Sequence, residues 1–254
     1  LGGSVFAQVT GQVGNEAPDL DDPSRLANFV TAIARLREQG RLLAYHDRSD
    51  GGLFATVCEM AFAGRCGVAI NIDMLAFDPG STDWGDFKIR PEQVSVQRGE
   101  ATIRALFNEE AGAVIQVRAD DRDAVMGELR ALGLSAHSHV IGKPAEGDEI
   151  SFYRDGRRIF SESRVTLQRI WTETSYRIAA LRDDPECAQE EFDAIAGIDD
   201  PGLHVALTYD PAEDIAAPFI ASGARPKVAV LREQGVNTHV EMAAAFTRAG
   251  FDAY

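Results

Sequence analysis

Asp47, Ser49 and Asp50 stand just before Gly51 and Gly52 in the stretch Tyr45-His46-Asp47-Arg48-Ser49-Asp50-Gly51-Gly52-Leu53. Those residue types at that spacing can hold a charged ligand. Glycine lets a backbone come close to a phosphate, because it carries no Cβ. The apolar run from Leu53 to Ala63 reads as a buried helix, and the free N–H groups at a helix start favour negative charge. A carboxylate beside them, Asp47, can hold a hard cation such as Mg2+, which is commonly bound by carboxylates together with phosphate oxygens and water. The stretch therefore points to Mg-nucleotide binding. The same residues also fit a plain helix start capped by Ser49 or Asp50, with no ligand.

The flanking elements place this stretch at the end of a strand. Asp19 to Ser24 reads as a turn with Pro23, and Ser24 can cap a helix from Arg25 to Gln39. Leu26, Phe29, Val30, Ile33 and Leu36 share one face of that helix, and Gly40 stops it. Leu42 to Tyr45 is a short apolar strand that delivers Asp47. The order helix, strand, loop, helix sets Asp47 and Ser49 at the carboxyl end of a strand, where α/β proteins usually bind ligands. His46 points to the opposite face from its strand neighbour Asp47. It is therefore read as a packed or hydrogen-bonded histidine rather than a base.

The chain has 254 residues, 45% of them hydrophobic, and a formal charge of −15. The length suits one large domain or two smaller ones, and the apolar content supplies a core. The acidic excess argues against nucleic acid, whose binders need basic surface. No apolar run approaches the roughly 18 residues of a membrane span. The three cysteines, Cys58, Cys66 and Cys187, lack metal-like spacing. That usage fits a reducing cytoplasm, with Cys58 and Cys66 in the core. Leu1-Gly2-Gly3-Ser4 reads as the middle of a longer polypeptide.

Further along, Val68, Ile70 and Ile72 alternate as a strand does. Asp78 to Asp86 reads as a loop, and Ala101 to Phe107 as a helix. A strand at Ala113 to Val117, a helix at Asp121 to Leu132, and strands at His139 to Ile141, Glu149 to Tyr153 and Arg158 to Phe160 follow. Asp155-Gly156 is a hairpin turn. This β-α-β-β succession is half of a ferredoxin-like unit. Ser163 to Leu181 is a long helix. From Asp183 to Asp214 there are eleven acidic residues and no Lys or Arg, with Pro185, Pro201 and Pro211 interrupting. Such a segment reads as a linker, or as an acidic loop over its own domain, with Leu203, Val205 and Leu207 able to form an edge strand. Lys227 to Leu231 starts a new βαβ unit of flavodoxin or Rossmann type.

Several of these segments resemble one family. His46 to Leu53, followed by Glu59-Met60-Ala61-Phe62-Ala63-Gly64, is similar to phosphoribosylformylglycinamidine synthase of the large, single-chain bacterial type. Leu1-Gly2-Gly3-Ser4, Ala212-Glu213-Asp214-Ile215-Ala216-Ala217-Pro218 and Arg225-Pro226-Lys227-Val228-Ala229-Val230-Leu231-Arg232-Glu233-Gln234-Gly235-Val236-Asn237 resemble it too. An isolated Asp-x-Ser-Asp-Gly-Gly would fit any member of the aminoimidazole ribonucleotide synthetase superfamily. The matches at both ends of the acidic segment narrow the choice.

The resemblance implies an ATP-dependent ligase that converts formylglycinamide ribonucleotide, glutamine and ATP to the amidine in purine synthesis. It implies a layered α/β (α+β) fold. Residues 1–182 would be the C-terminal lobe of the second synthase half, 183–224 an acidic linker and edge segment, and 225–254 the first βα unit of a flavodoxin-like class I glutaminase domain. In that family the residue at Asp47 is a Mg2+ ligand, and the one at Ser49 contacts an ATP or ADP whose role is auxiliary. The partners implied are the remaining synthase lobes and the glutaminase domain of the same polypeptide, with no nucleic acid and no membrane. The family's glutaminase uses a Cys nucleophile activated by a neighbouring base. Cys58, Cys66 and Cys187 do not match it, so no catalytic residue is assigned and the chain is expected to be inactive alone.

Other residues carry plainer readings. Glu109-Glu110 is a solvated pair at a helix end, and Asp50 is a cap. His137 and His139 share a strand face but lack a third ligand for a metal. Gln234 to Asn237 follows a strand and could line a glutaminase pocket. Two other functions remain open on sequence alone. One is another ATP-using superfamily member, such as a selenophosphate synthetase or a hydrogenase-maturation relative. The other is a regulatory ferredoxin-like module that binds its ligand around Ala113 to Phe160.

Overall fold

A computed structural model describes residues 1–76, 91–197, 200 and 202–254, with the backbone alone at 91–96 and Phe219. The expected loop at Asp78 to Asp86 lies outside the described residues. The chain divides into two units, Leu1–Asp200 and Pro201–Tyr254.

The first unit is mixed α/β, as expected. It opens with a short helix, α1 (Val5–Val9), capped by the buried Ser4, whose side chain accepts the Ala7 N–H. Next come α2 (Pro23–Glu38), β1 (Ala44–Asp47), α3 (Gly52–Gly64), β2 (Gly67–Asn71), α4 (Pro91–Phe107), β3 (Ala113–Gln116) and α5 (Arg122–Ala131). Then follow β4 (Gly142–Ala145), β5 (Glu149–Arg154), β6 (Arg157–Ser163), α6 (Arg164–Arg182) and α7 (Pro185–Ala194). The cap of α2 is Asp22 rather than Ser24, since Asp22 accepts the Ser24 N–H at 3.0 Å.

Two sheets are formed. β1 and β3 pair antiparallel, with Tyr45 opposite Ile115 and Asp47 opposite Ala113. The other sheet has the order β4-β2-β5-β6, with β2 and β5 parallel and its other neighbours antiparallel. The β-α-β-β succession is therefore shared between sheets: β3 joins β1, while β4, β5 and β6 join β2. The last strand before the hairpin begins at Gly142, not His139, and His137 ends a 3-10 turn, so the two histidines share no strand face.

Helix α3 lies at the centre because it is apolar on nearly every side. Leu53, Thr56, Val57, Cys58, Ala61 and Phe62 are all buried in it. They pack with Ile70, Ile150 and Phe152 of the larger sheet and with Ala105 and Leu106 of α4. An aromatic chain ties the layers together. Phe6 stacks on Phe107 with centroids 4.7 Å apart, Phe107 meets Phe54 at 5.5 Å, and Phe54 meets Phe152 at 5.3 Å. A second cluster, Ala32, Leu36, Val125 and Leu129, joins α2 to α5, with Ile115 and Val117 of the β3 end packed against it.

The first part of the expected acidic linker is folded. Asp184 caps α7, Pro185 occupies its first turn, and Ala188 and Ile195 are buried. Phe192 stacks on Tyr176 of α6 at 4.5 Å, and the Arg169 guanidinium lies 5.4 Å from the Phe192 ring centre. Ala188, Phe192 and Ile195 recur at helical spacing, and that apolar face outweighs the surrounding charge. Leu203, Val205 and Leu207 are exposed and outside any strand.

In the second unit, α8 (Ala217–Ala221) precedes β7 (Lys227–Val228), α9 (His239–Arg248) and β8 (Asp252–Ala253). β7 and β8 pair parallel, which is the expected βαβ beginning. Phe246 and Phe251 meet edge to face at 5.6 Å.

Candidate functional site

Strand β1 presents Asp47 as its last residue, and the chain then turns through Arg48 to Gly51 into α3. Asp47, Ser49 and Asp50 are exposed. The Tyr45 hydroxyl donates to Asp47 Oδ1 from the same strand face, two residues back. Burial, and then the bond to Asp47, push the Tyr45 hydroxyl up to about 12, so it stays a donor at neutral pH. The Asp47 carbonyl accepts the Thr56 hydroxyl at 3.1 Å, which fixes the strand end to the first turns of α3.

The turn itself is closed internally. Gly52 N–H donates to the Ser49 carbonyl at 2.9 Å. Gly51 is the residue flanking α3, in left-handed conformation at φ +79°, and no side chain caps the helix. Neither Ser49 nor Asp50 therefore serves as the expected cap. Glu109 Oε1 accepts the Gly51 N–H itself at 2.9 Å, from a segment 58 positions away.

The glycines are explained by the chain's own backbone. A Cβ on Gly52 would lie 2.7 Å from the Asn108 carbonyl oxygen and 2.8 Å from that of Leu106. The close approach expected of a phosphate is made instead by the end of α4. Arg48 is turned the same way. Its Nε donates to the Glu110 carbonyl at 2.7 Å and its backbone N–H to the Gly112 carbonyl at 2.8 Å. Burial lowers the Arg48 pKa, while the nearby Glu110 opposes that.

His46 faces away from Asp47, as expected. Its Nε2 lies 2.6 Å from Glu59 Oε2, and Glu59 Oε1 accepts the Trp171 indole N–H at 3.0 Å. It is a hydrogen-bonded histidine linking β1, α3 and α6. Among the described residues, no three His, Cys, Asp or Glu side chains are grouped to hold a metal ion. The exposed Asp47 carboxylate is the kind of group that could supply one ligand to a Mg2+ ion, which commonly takes its other ligands from phosphate and water. Glu109 is the residue that sequence reasoning missed. It stood as one of a solvated pair, and nothing in its spacing ties it to a loop so far upstream.

Residues 1–155 match the family model of the AIR synthase related protein, C-terminal domain. The chain belongs to that family. Beyond this AIR synthase related region, residues 225–254 match the model of the CobB/CobQ-like glutamine amidotransferase domain. The two matches bear out the resemblance drawn from the sequence. Solved structures similar to this AIR synthase related chain include T. maritima PurL complexed with ATP, at 14% identity over 60% of this chain and 22% of that one, TM-score 0.40. Another is phosphoribosylformylglycinamidine synthase II from Thermotoga maritima, at 12% identity over 92% of this chain and 29% of that one, TM-score 0.41. A third is E. coli HypE, a hydrogenase maturation protein, at 23% identity over 51% of this chain and 38% of that one, TM-score 0.37. The chain spans well under half the length of each of these structures. Among the described residues, no helix is long and apolar enough to cross a membrane.

Proposed function

We propose that this chain is part of phosphoribosylformylglycinamidine synthase, the cytoplasmic ligase that uses glutamine and ATP to convert formylglycinamide ribonucleotide to its amidine. The observation that carries the reading is the order of two family matches on one chain: an AIR synthase related domain, then a glutamine amidotransferase domain. A hydrogenase-maturation or selenophosphate-type role would not account for the second match. Residues 1–182 are the synthetase-like lobe and 225–254 the start of the glutaminase domain. The segment 183–224 lies between them, and its helix α7 packs back on α6.

In this role Asp47 would hold Mg2+, while the Tyr45 hydroxyl donates to its Oδ1 and steadies the carboxylate. Ser49, exposed on the turn, contacts the phosphates of ATP or ADP. Bound Mg2+ would neutralise phosphate charge at this point. The nucleotide is auxiliary and stabilises the fold.

The test is Asp47→Asn in the full-length natural protein, which removes the charge and nearly keeps the shape. Bound nucleotide and thermal stability should fall together, because a ligand that binds only the folded state stabilises it. That contribution is about 2.7 kcal/mol at a hundred times its Kd. Lower turnover with nucleotide still bound would instead place Asp47 in the chemical step. Full retention of nucleotide and melting temperature would reduce Asp47 to a loop residue.

A further inference from the structure

One carboxylate oxygen joins three parts of the chain. Glu109 Oε1 accepts the Gly51 N–H at 2.9 Å and the Val5 N–H, also at 2.9 Å. The acceptor follows the end of α4, one donor opens α1, and the other sits between Asp50 and α3. The neighbouring residues hold Glu109 in place. Asn108 Oδ1 accepts the Glu110 N–H at 3.2 Å, and Arg48 clasps the Glu110 carbonyl. Gly52 lies against the backbone of Leu106 to Asn108, where no other residue would fit. The segment 106–112 therefore grips the Asp47–Gly52 turn on several sides.

This arrangement leaves the Gly51 N–H engaged by a carboxylate, so it is not the donor for a phosphate. A nucleotide on this turn would be held by a cation on Asp47 and by the Ser49 hydroxyl, without the Gly51 amide. We infer that Glu109 is a positioning residue: it fixes the turn, and α1 with it, in the form that presents Asp47 and Ser49. The inference rests on the reading of Asp47 and Ser49 given above.

ADP with Mg2+, and ADP with a chelator, are titrated calorimetrically into the full-length natural protein and its variants. Glu109→Ala should weaken Mg-ADP binding by about fivefold, the worth of one net hydrogen bond, while the protein stays folded. Glu109→Gln, whose amide oxygen can accept both N–H groups, should restore it. If Glu109→Ala binds ADP more tightly, with or without Mg2+, Glu109 is an internal competitor for phosphate and the inference is wrong. Unchanged affinity overturns it too.

Amide exchange supplies a readout that needs no nucleotide. In Glu109→Ala the Val5 and Gly51 amides should exchange about tenfold faster while the core amide of Ile150 does not change. Unchanged rates at Val5 and Gly51 overturn the inference whatever the nucleotide does. If Glu109→Ala does not fold, Glu109→Asp carries the same readouts, since it falls one methylene short of both amides. Mg-ADP affinity that survives Asp47→Asn would count against the nucleotide reading alone, and the exchange measurement would still decide the role of Glu109.

Discussion

Tyr45 shows how one side chain serves both the strand and the turn. Its phenol is partly buried, and its hydroxyl is bound to the Asp47 carboxylate. Both effects favour the neutral ring, so the pKa rises from 10.0 to about 12 in the folded chain. A raised pKa means that the unfolded chain ionises first. The contribution of Tyr45 is therefore intact below pH 10 and is lost between pH 10 and about 12. Denaturant unfolding of the wild type should show stability falling through that window, and Tyr45→Phe should lose less over the same span. Equal slopes would mean that Tyr45 titrates as a free phenol and does not hold Asp47. Cys58 follows the same logic: it is 4% exposed, and burial lifts its thiol to about 12. A thiol so placed is a packing group and not a nucleophile.

Among the elements, α3 and its approach decide the local geometry. Gly52 sits at φ +64°, and a Cβ there would meet the backbone of the α4 end at 2.7 Å. Gly52→Ala combines a left-handed backbone with a clash that no side-chain rotation relieves. It should cost about 1–3 kcal/mol and reduce the holding of any ligand on the turn, as read by thermal unfolding and nucleotide titration. Stability within a few tenths of the wild type would show that the α4 end yields easily. Periodicity made most of this layer legible. The apolar run of α3, the alternation at Val68 to Ile72, and the turn at Asp155-Gly156 all stand where their patterns place them. What escaped depends on distant partners. β3 pairs with β1 rather than with the strands that follow it, and α7 is settled by the Phe192–Tyr176 stack. The strand end carrying Asp47 was equally legible, while the Glu109 clasp was not, because no local pattern encodes a hydrogen bond across 58 positions.

At the scale of the whole molecule the two units differ in what holds them. The first contains two core clusters built on fully or nearly fully buried side chains such as Ile72, Ile150, Phe152 and Leu36. The second pairs two-residue strands beside α9, a helix with no buried residue, while Leu231, Val240 and Met242 remain exposed. Parallel strands need cover on both faces, and one helix supplies at most one. Hydrogen bonds alone do not make up the difference, since a bond shared with solvent contributes only about 1 kcal/mol net. The Val230 N–H does donate to the Tyr254 carbonyl at 2.8 Å, and the Tyr254 N–H to that of Val228 at 3.0 Å. Those amides should nevertheless exchange orders of magnitude faster than that of Ile150, which is fully buried in β5, a strand paired on both sides. The 254-residue polypeptide in dilute solution, followed by amide hydrogen exchange, decides the matter. Protection at Val230 and Tyr254 equal to that at Ile150 would mean that the second unit has cover of its own and folds as firmly as the first. Rapid exchange there, with the first unit protected, would mean that residues 225–254 depend on packing from outside their own βαβ unit.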